Sequence, residues 1–342
     1  MPNRLRHLLR WIVASVFYYS GLCHFLGWWR RNVLRKREVC VLGFHRVLKE
    51  EEFQQSRSLG GILLKETTFA RMLDHLTTRF SILSLDEFLD GPAPRSDATN
   101  PSCLLTFDDG WRDNFETAYP LLKRFRVPAT IFLVTGLISS GQTFWVERLL
   151  DAWRDPHRRE QIISSLQSEA RGRDFTQVEN VVEYLKHMPS QQRDQVLLRA
   201  LPGWKESDKT LAVDQIMSWE HVLEMSRDGI DFGGHTHTHP LLSYEDEEVV
   251  ERELRISKQI IEEKLGKKVR AFAYPNGTWD PRVRQQVAQA GYDCAFTTER
   301  GWHGSGADPL TICRILLHER SVTGLGNRFS PAVFHFTLAR WR

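Results

Sequence analysis

From Val39 onward, short apolar runs alternate with stretches whose apolar residues recur at helical spacing. Val39–Phe44 is the first strand-like run and ends at His45-Arg46-Val47. Phe69, Met72, Leu73 and Leu76 then mark one face of a helix, with Thr67 and Thr68 before it as caps, and Phe80–Leu85 is a short extended run. Gly91–Asn100, rich in Pro, Ala, Ser and Asp, reads as a surface loop. Cys103–Phe107, a helix through Tyr119 and Leu122, and Ala129–Val134 after Pro128 continue the order of strand, helix, strand, which predicts a parallel α/β core. Between Gly141 and Asp214 the strands stop. Phe175, Val178, Val182 and Leu185 share a helical face there and Val196–Leu201 supplies another apolar run, so this segment reads as a helical insertion over one rim of the core. The α/β order resumes with Ser218 as a cap, a helix through Val222 and Met225, Gly229 as its stop and the strand Ile230–Phe232.

The amino terminus has a different pattern. Trp11–Trp29 is nearly free of charge and about as long as a short membrane span. Arg4, Arg6 and Arg10 precede it, Arg30, Arg31, Arg35, Lys36 and Arg37 follow it, and no small-x-small site closes the apolar run, which argues against a cleaved signal peptide. The stretch reads as a signal-anchor helix or as an amphipathic helix in the membrane interface, with packing on the protein itself as the plain alternative; His24, Ser15 and Ser20 weigh against spanning. For a spanning helix, the heavier positive flank favours a cytoplasmic catalytic side. The chain accordingly divides into a membrane-associating segment (1–38), a main domain (39–320, with 141–214 inserted) and a tail (321–342). Its 342 residues suffice for one large domain with a full core. A formal charge of +3, with no basic run interleaved with aromatics in the body of the chain, sets nucleic acid aside as a partner. The five cysteines show no CxxC spacing and read as reduced core residues.

Candidate chemistry sits where two strands stop. Leu104-Leu105-Thr106-Phe107 ends in Asp108, Asp109 and Gly110, and the C-terminal edge of a parallel strand is where α/β folds place their sites. Ile230–Phe232 runs into Gly233-Gly234-His235-Thr236-His237-Thr238-His239-Pro240, three histidines within five residues. In an extended chain His235 and His239 would stand about 13 Å apart, too far to share an ion that each must approach to about 2 Å, leaving His237 paired with one or the other. In a helical turn positions i and i+4 come to about 6 Å and can converge. Pro240 tolerates a turn better than a strand, which favours His235 with His239. One of the two aspartates would be the third ligand, leaving the other free to take a proton from bound water.

These motifs resemble those of the polysaccharide deacetylases of the NodB-homology group, carbohydrate esterase family four. Thr106-Phe107-Asp108-Asp109-Gly110 is similar to the first motif of that family and His235-Thr236-His237-Thr238-His239-Pro240 to the second. Phe272-Ala273-Tyr274-Pro275-Asn276-Gly277 resembles a variant of the third, and Leu316-Leu317-His318 the last. The resemblance implies a distorted, incomplete (β/α) barrel and a metal-dependent removal of N-acetyl groups from a sugar of a polysaccharide or lipid-linked glycan, with a divalent metal, usually Zn2+. It makes Asp108 the general base, Asp109, His235 and His239 the metal ligands, Thr236 a brace for the histidine loop, a backbone N–H near Asn276 part of the oxyanion site beside Tyr274 and Pro275, and His318 the acid that protonates the departing amine. The arginine that tunes the base in many members is replaced here by Ala273, leaving Arg270 and Arg314 as substitutes. The paired aspartates that tune the acid are absent from Gly291–Thr297, where only Asp293 stands. Two other readings share the scaffold: a hydrolase of another carbon–nitrogen bond in a small amide or formyl group, and a silent glycan-binding module, against which the intact Asp108, Asp109, His235 and His239 argue.

Overall fold

A computed structural model gives the fold; it describes residues 2–32, 38–90, 100–170, 172–204, 214–304 and 306–339. The loop expected at Gly91–Asn100, apart from its last residue, and the flanking Arg35, Lys36 and Arg37 lie outside these. The strands are β1 (Glu38–Phe44), β2 (Arg46–Leu48), β3 (Leu63–Lys65), β4 (Ser81–Leu83), β5 (Ser102–Phe107), β6 (Thr130–Leu133), β7 (Asp231–Gly234), β8 (Ala271–Ala273), β9 (Cys294–Phe296), β10 (His303–Gly304) and β11 (Ile315–Leu316). Nine of them form one sheet in the order β10-β1-β5-β6-β7-β8-β9, with β4 beside β5 and β11 beside β1, while β2 and β3 pair separately. Every pairing in the large sheet is parallel except β1 with β10.

Strands buried on both faces explain the continuous apolar runs. One face, carrying Leu42, Leu105, Ile131, Phe232 and Phe272, packs against the surrounding helices. On the other, Val41, Leu104, Phe132, Ala271, Ala273 and Phe296 pack against one another inside the curl of the sheet. Ile312 forms a parallel bridge to Phe296 of β9, and three residues later β11 pairs with Leu42 and Gly43 of β1. The segment Ile312–Leu316 thus joins the two ends of the sheet. The fold is the distorted, incomplete barrel that the resemblance implies, with β1, β5, β7 and β11 delivering their C-terminal ends to one rim.

Several local expectations change for identifiable reasons. The helix Glu66–Arg79 begins before Thr67 and Thr68, because β3 keeps the chain extended up to Lys65, which becomes the cap; the Thr68 hydroxyl donates instead to Glu319 at 2.8 Å. The run Phe80–Leu85 is strand only from Ser81 to Leu83, since Ser84 accepts from the Glu87 N–H and starts the helix Leu85–Leu89. Within 141–214 the helices Trp145–Arg154, Pro156–Glu169, Val178–Lys186 and Ser190–Ala200 enclose a core of their own, with Leu149, Ile162, Val181 and Leu197 buried.

At the amino terminus two helices, Pro2–Tyr19 and Leu22–Asn32, replace the one continuous helix, and they break at Gly21, whose φ is 80°. Among the described residues no helix is long and apolar enough to cross a membrane. The first helix lies on the helix Pro331–Ala339, where Ala14 is fully buried with Ala332 and Val333. Residues 321–339 are therefore a packed part of the domain and not a loose tail.

Close approach inside the curl makes one glycine testable. A Cβ on Gly233, two residues before His235, would stand 2.6 Å from the Ala271 carbonyl oxygen and 2.6 Å from the Phe132 ring. Gly233→Ala is expected to cost about 1–3 kcal/mol of stability, as overpacking in a filled core does. Urea denaturation measures it, and an unchanged midpoint would show that β7 can move aside.

Candidate metal centre

The alternation of β5 sets the two aspartates apart. Leu104 and Thr106 face the inside of the curl, so Asp108 follows them inward while its N–H continues the ladder to the Phe44 carbonyl at 2.9 Å. The chain then turns through Asp109 and Gly110, with φ of 79° and 76°. The turn aims Asp109 Oδ1 at both His235 Nε2 and His239 Nε2, each at 3.5 Å. The other carboxylate oxygen accepts from the buried Trp111 indole at 2.9 Å.

His235 and His239 come together as favoured from the sequence, but a helical turn is not the cause. The loop is irregular and folds back because Thr236 and His239 both adopt left-handed backbone, with φ of 67° and 62°. Thr236 braces it: its hydroxyl accepts from the His239 N–H at 2.9 Å and donates to the His235 carbonyl. Glu253 holds the outer side, accepting from the His237 and Thr238 N–H groups and from the Thr238 hydroxyl at 2.7–2.8 Å. His237 turns away and meets the Thr135 hydroxyl through Nδ1 at 3.0 Å. His235 donates from Nδ1 to the Ala273 carbonyl at 2.7 Å, which fixes the ring with Nε2 turned towards Asp109. The His239 ring stands edge-on to Phe144, their centres 5.0 Å apart.

This donor set fits a divalent cation. One oxygen of Asp109 and one nitrogen each of His235 and His239 lie within 4.8 Å of one another, and two imidazoles with a carboxylate leave positions open for water or substrate, as catalytic zinc sites do. The charges are mutually adapted. Burial pushes the Asp109 carboxyl up, but the hydrogen bond from His235 and the nearby His45 and His239 outweigh it, so it lies well below the usual carboxylate range. Burial pushes His239 down to about 3, which keeps its imidazole neutral and able to ligate. Burial lowers His235 as well, but its hydrogen bond to Asp109 and the charge of Asp108 reverse the sign and leave it raised.

Arg314, carried by the segment that closes the curl, is the substitute that reaches Asp108. Its two terminal nitrogens grip Asp108 at 2.7 and 2.8 Å, while its Nε donates to the Thr297 carbonyl at 2.8 Å. Burial would raise Asp108, yet Arg314 outweighs it, aided by His235 and His45, and holds the carboxyl below its ordinary value. Arg270, the other substitute, is on the surface, bound to Asp86, Asp90 and Asp293; Asp293 is thereby occupied away from the rim. The Tyr274 hydroxyl also points elsewhere, donating to the Leu310 carbonyl at 3.0 Å, while Pro275 is buried and Asn276 sits in left-handed backbone with φ of 56°.

Two histidines follow strands that end at this rim. His45, just past the end of β1, places Nε2 3.9 Å from Asp108 Oδ2. His318, just past β11, has no hydrogen bond or ion pair to Asp108, Asp109, His235 or His239; its Nδ1 is buried without a partner, and burial with the nearby Arg10 and Arg320 pushes its pKa down. His45 went unread in the sequence, although its place at a strand end, like that of Asp108, was the available signal.

A second group also went unread. Arg46 is fully buried and binds Asp113 at 2.9 Å, Asp214 at 2.5 Å and Ser58 at 2.8 Å, and its guanidinium lies 4.2 Å from the centre of the Trp111 ring. Asp113 in turn accepts from the Val47 N–H, and Asn114 donates to the His45 carbonyl. Burial pushes the neighbouring Glu147, on the insertion's first helix, up to about 7. This cluster ties the insertion and the His45 corner to the indole that holds Asp109.

The buried pair yields a stability test. Arg314→Met strands Asp108 in the interior and is expected to cost about 3–5 kcal/mol, the usual penalty for breaking a buried ion pair from one side. Adding Asp108→Asn should restore a large part of that loss without restoring turnover. A double variant no more stable than Arg314→Met would mean that the arginine acts through its other contacts.

Comparison with known proteins accords with this geometry. The sequence matches the family model described as "Polysaccharide deacetylase" over residues 95–295, more than half of the chain. A poly-beta-1,6-N-acetyl-D-glucosamine N-deacetylase of Staphylococcus aureus is 28% identical over 114 residues, covering 30% of this chain and 38% of that protein, so the match spans well under two thirds of the relative. Among solved structures, the Streptococcus pyogenes deacetylase PplD in complex with acetate superposes with a TM-score of 0.54 at 20% identity, covering 82% of this chain and 92% of that one. IcaB from Ammonifex degensii gives 0.55 at 20% identity, with 83% and 94% covered. Those two likenesses speak to the fold, and the family model speaks to the sequence that builds the rim: this chain belongs to the polysaccharide deacetylase family.

Proposed function

We propose that the protein is a metal-dependent N-deacetylase that hydrolyses the acetamido group of an N-acetylated sugar in a polysaccharide or lipid-linked glycan, and that it works in association with a membrane. The observation that supports this most directly is the juxtaposition at one rim of a three-residue metal group, Asp109, His235 and His239, with a second carboxylate, Asp108, held ionised by its own arginine. A divalent cation held there, Zn2+ in our reading, would lower the pKa of a water molecule and polarise the amide carbonyl. Asp108, ionised at neutral pH, accepts the proton of the attacking water. Its two oxygens stay oriented because Arg314 binds both. As the C–N bond breaks the amine needs a proton, and His45, 3.9 Å from Asp108, is the imidazole best placed to supply it. We assign that step to His45 in place of His318. The left-handed Asn276 turn supports an N–H contact to the carbonyl oxygen, where charge builds up in the transition state.

Acetate release from a panel of N-acetylhexosamine polymers and lipid-linked sugars, with and without chelator, tests the whole reading; no chelator-sensitive acetate from any of them would overturn it. Formate release without acetate would point to another carbon–nitrogen hydrolase.

Single variants separate the roles. Asp108→Asn is expected to keep its metal and lose roughly 10²–10⁴ in turnover, the usual worth of a positioned base. Asp109→Asn, His235→Ala and His239→Ala should lose metal, because two remaining protein ligands make a poor site, whereas His237→Ala should keep it. Metal analysis of the purified variants checks this, and an empty His237→Ala protein would contradict the ligand set.

The acid is decided by a parallel pair. His45→Gln should lower kcat by roughly 10²-fold or more with metal content intact, and His318→Gln should leave kcat within a few-fold of the parent. The reverse pattern would return the role to His318.

A further inference from the structure

We propose that the two N-terminal helices form an in-plane docking surface for an anionic lipid bilayer. The helix Pro2–Tyr19 has two apolar faces. Trp11, Ala14 and Tyr18 pack on the C-terminal helix, against Ala332, Val333 and Phe336. On the opposite side Leu5, Leu9, Ile12, Val16 and Tyr19 recur at intervals of four, three, four and three residues and are open to solvent, Val16 at 64% and Tyr19 at 76%. After the break at Gly21, the second helix continues the exposed surface with Leu22, Phe25, Trp28 and Trp29. Nine exposed apolar side chains on two successive helices mark an interaction site.

Charge identifies the occupant. The first 37 residues contain eight Lys or Arg and no Asp or Glu. Such a segment repels a second copy of itself and attracts anionic headgroups, while indole rings suit the boundary between headgroups and acyl chains. A helix with one face packed on its own domain and the other apolar lies in the interface and does not span it.

The packing also fixes the first helix to the domain. Arg10 donates to the carbonyls of Arg320 at 3.0 Å and Ser321 at 2.8 Å and to the Thr337 hydroxyl at 2.7 Å. Those carbonyls lie two and three residues beyond His318, where β11 delivers the chain to the rim. The first helix is thereby pinned to the segment that follows β11, and the substrate class that fits a membrane-docked deacetylase is a glycan anchored in or lying on the membrane. This last step rests on the deacetylase reading; the docking surface does not.

Co-sedimentation of the full chain with vesicles of phosphatidylcholine alone, and of phosphatidylcholine with about one third phosphatidylglycerol, tests the surface. The protein is expected to bind the anionic vesicles, and added salt to weaken binding. Leu9→Glu with Val16→Glu, both at exposed positions, should reduce vesicle binding by about tenfold or more while leaving acetate release from soluble substrate unchanged. Arg6→Glu, which leaves the apolar stripe whole, should weaken binding to the anionic vesicles alone. Equal binding by parent and double variant would overturn the proposal, as would a dimer that the double variant converts to monomer without any vesicle binding. Vesicle binding without acetate release from any substrate would leave the surface standing and overturn the deacetylase reading instead.

Discussion

Two neighbouring carboxylates buried at the mouth of a curled sheet are the constraint to which the rest of the site answers. An ionised carboxylate removed from water without compensation is too costly to keep. Asp108 meets this condition with a bidentate guanidinium, and Asp109 with an indole N–H and two imidazoles. These partners come from β7, the loop beyond it, the turn after β5 and the segment closing the sheet, so the fold must be complete before the charges are satisfied. The same condition reaches back into β1. Gly43 has no Cβ to collide with Leu316, 2.4 Å from where one would stand, so β11 can lie close against β1 beside the Arg314 chain.

The second recurring feature is unusual backbone. Among the described residues seven non-glycines have positive φ, and four of them are at the rim: Asp109, Thr236, His239 and Asn276. A β-branched residue such as Thr236 is rare in that region, and such conformations persist where the surroundings over-determine them. Glu253 and the Thr236 hydroxyl do so for the histidine loop. The strain has a geometric use: left-handed steps let residues four apart in an irregular loop aim at one point, which neither a strand nor a simple turn achieves here.

These two features also explain what could be read from the chain alone. The apolar run before Asp108 and the cluster after Gly234 were legible because local pattern and strand-end chemistry coincide there. The convergence of His235 with His239 was readable as a pairing but not as a conformation, since the left-handed residues are held by Glu253 from the helix that follows the loop. The choice between Arg270 and Arg314 was not readable, because both stand near strand ends and only the closing segment puts Arg314 inside. Beyond their place at a strand end, His45 and Arg46 gave little to read, for a related reason. A single histidine or arginine after a strand carries no periodicity, and its meaning comes from Asp108 and Asp113, more than sixty residues away in the chain.

The position of Arg314 bears on how activity could be lost in descendants of such a chain. The stretch that identifies the family ends at residue 295, and the arginine that keeps Asp108 ionised, the base in our proposal, lies nineteen residues further on, in a segment whose other duty is to seal the sheet. A lineage could drift in that closing segment while every hallmark of the signature stayed intact, and its members would look like enzymes while carrying a base that prefers to hold its proton. Inference of activity across relatives therefore has to extend to the seam of the barrel.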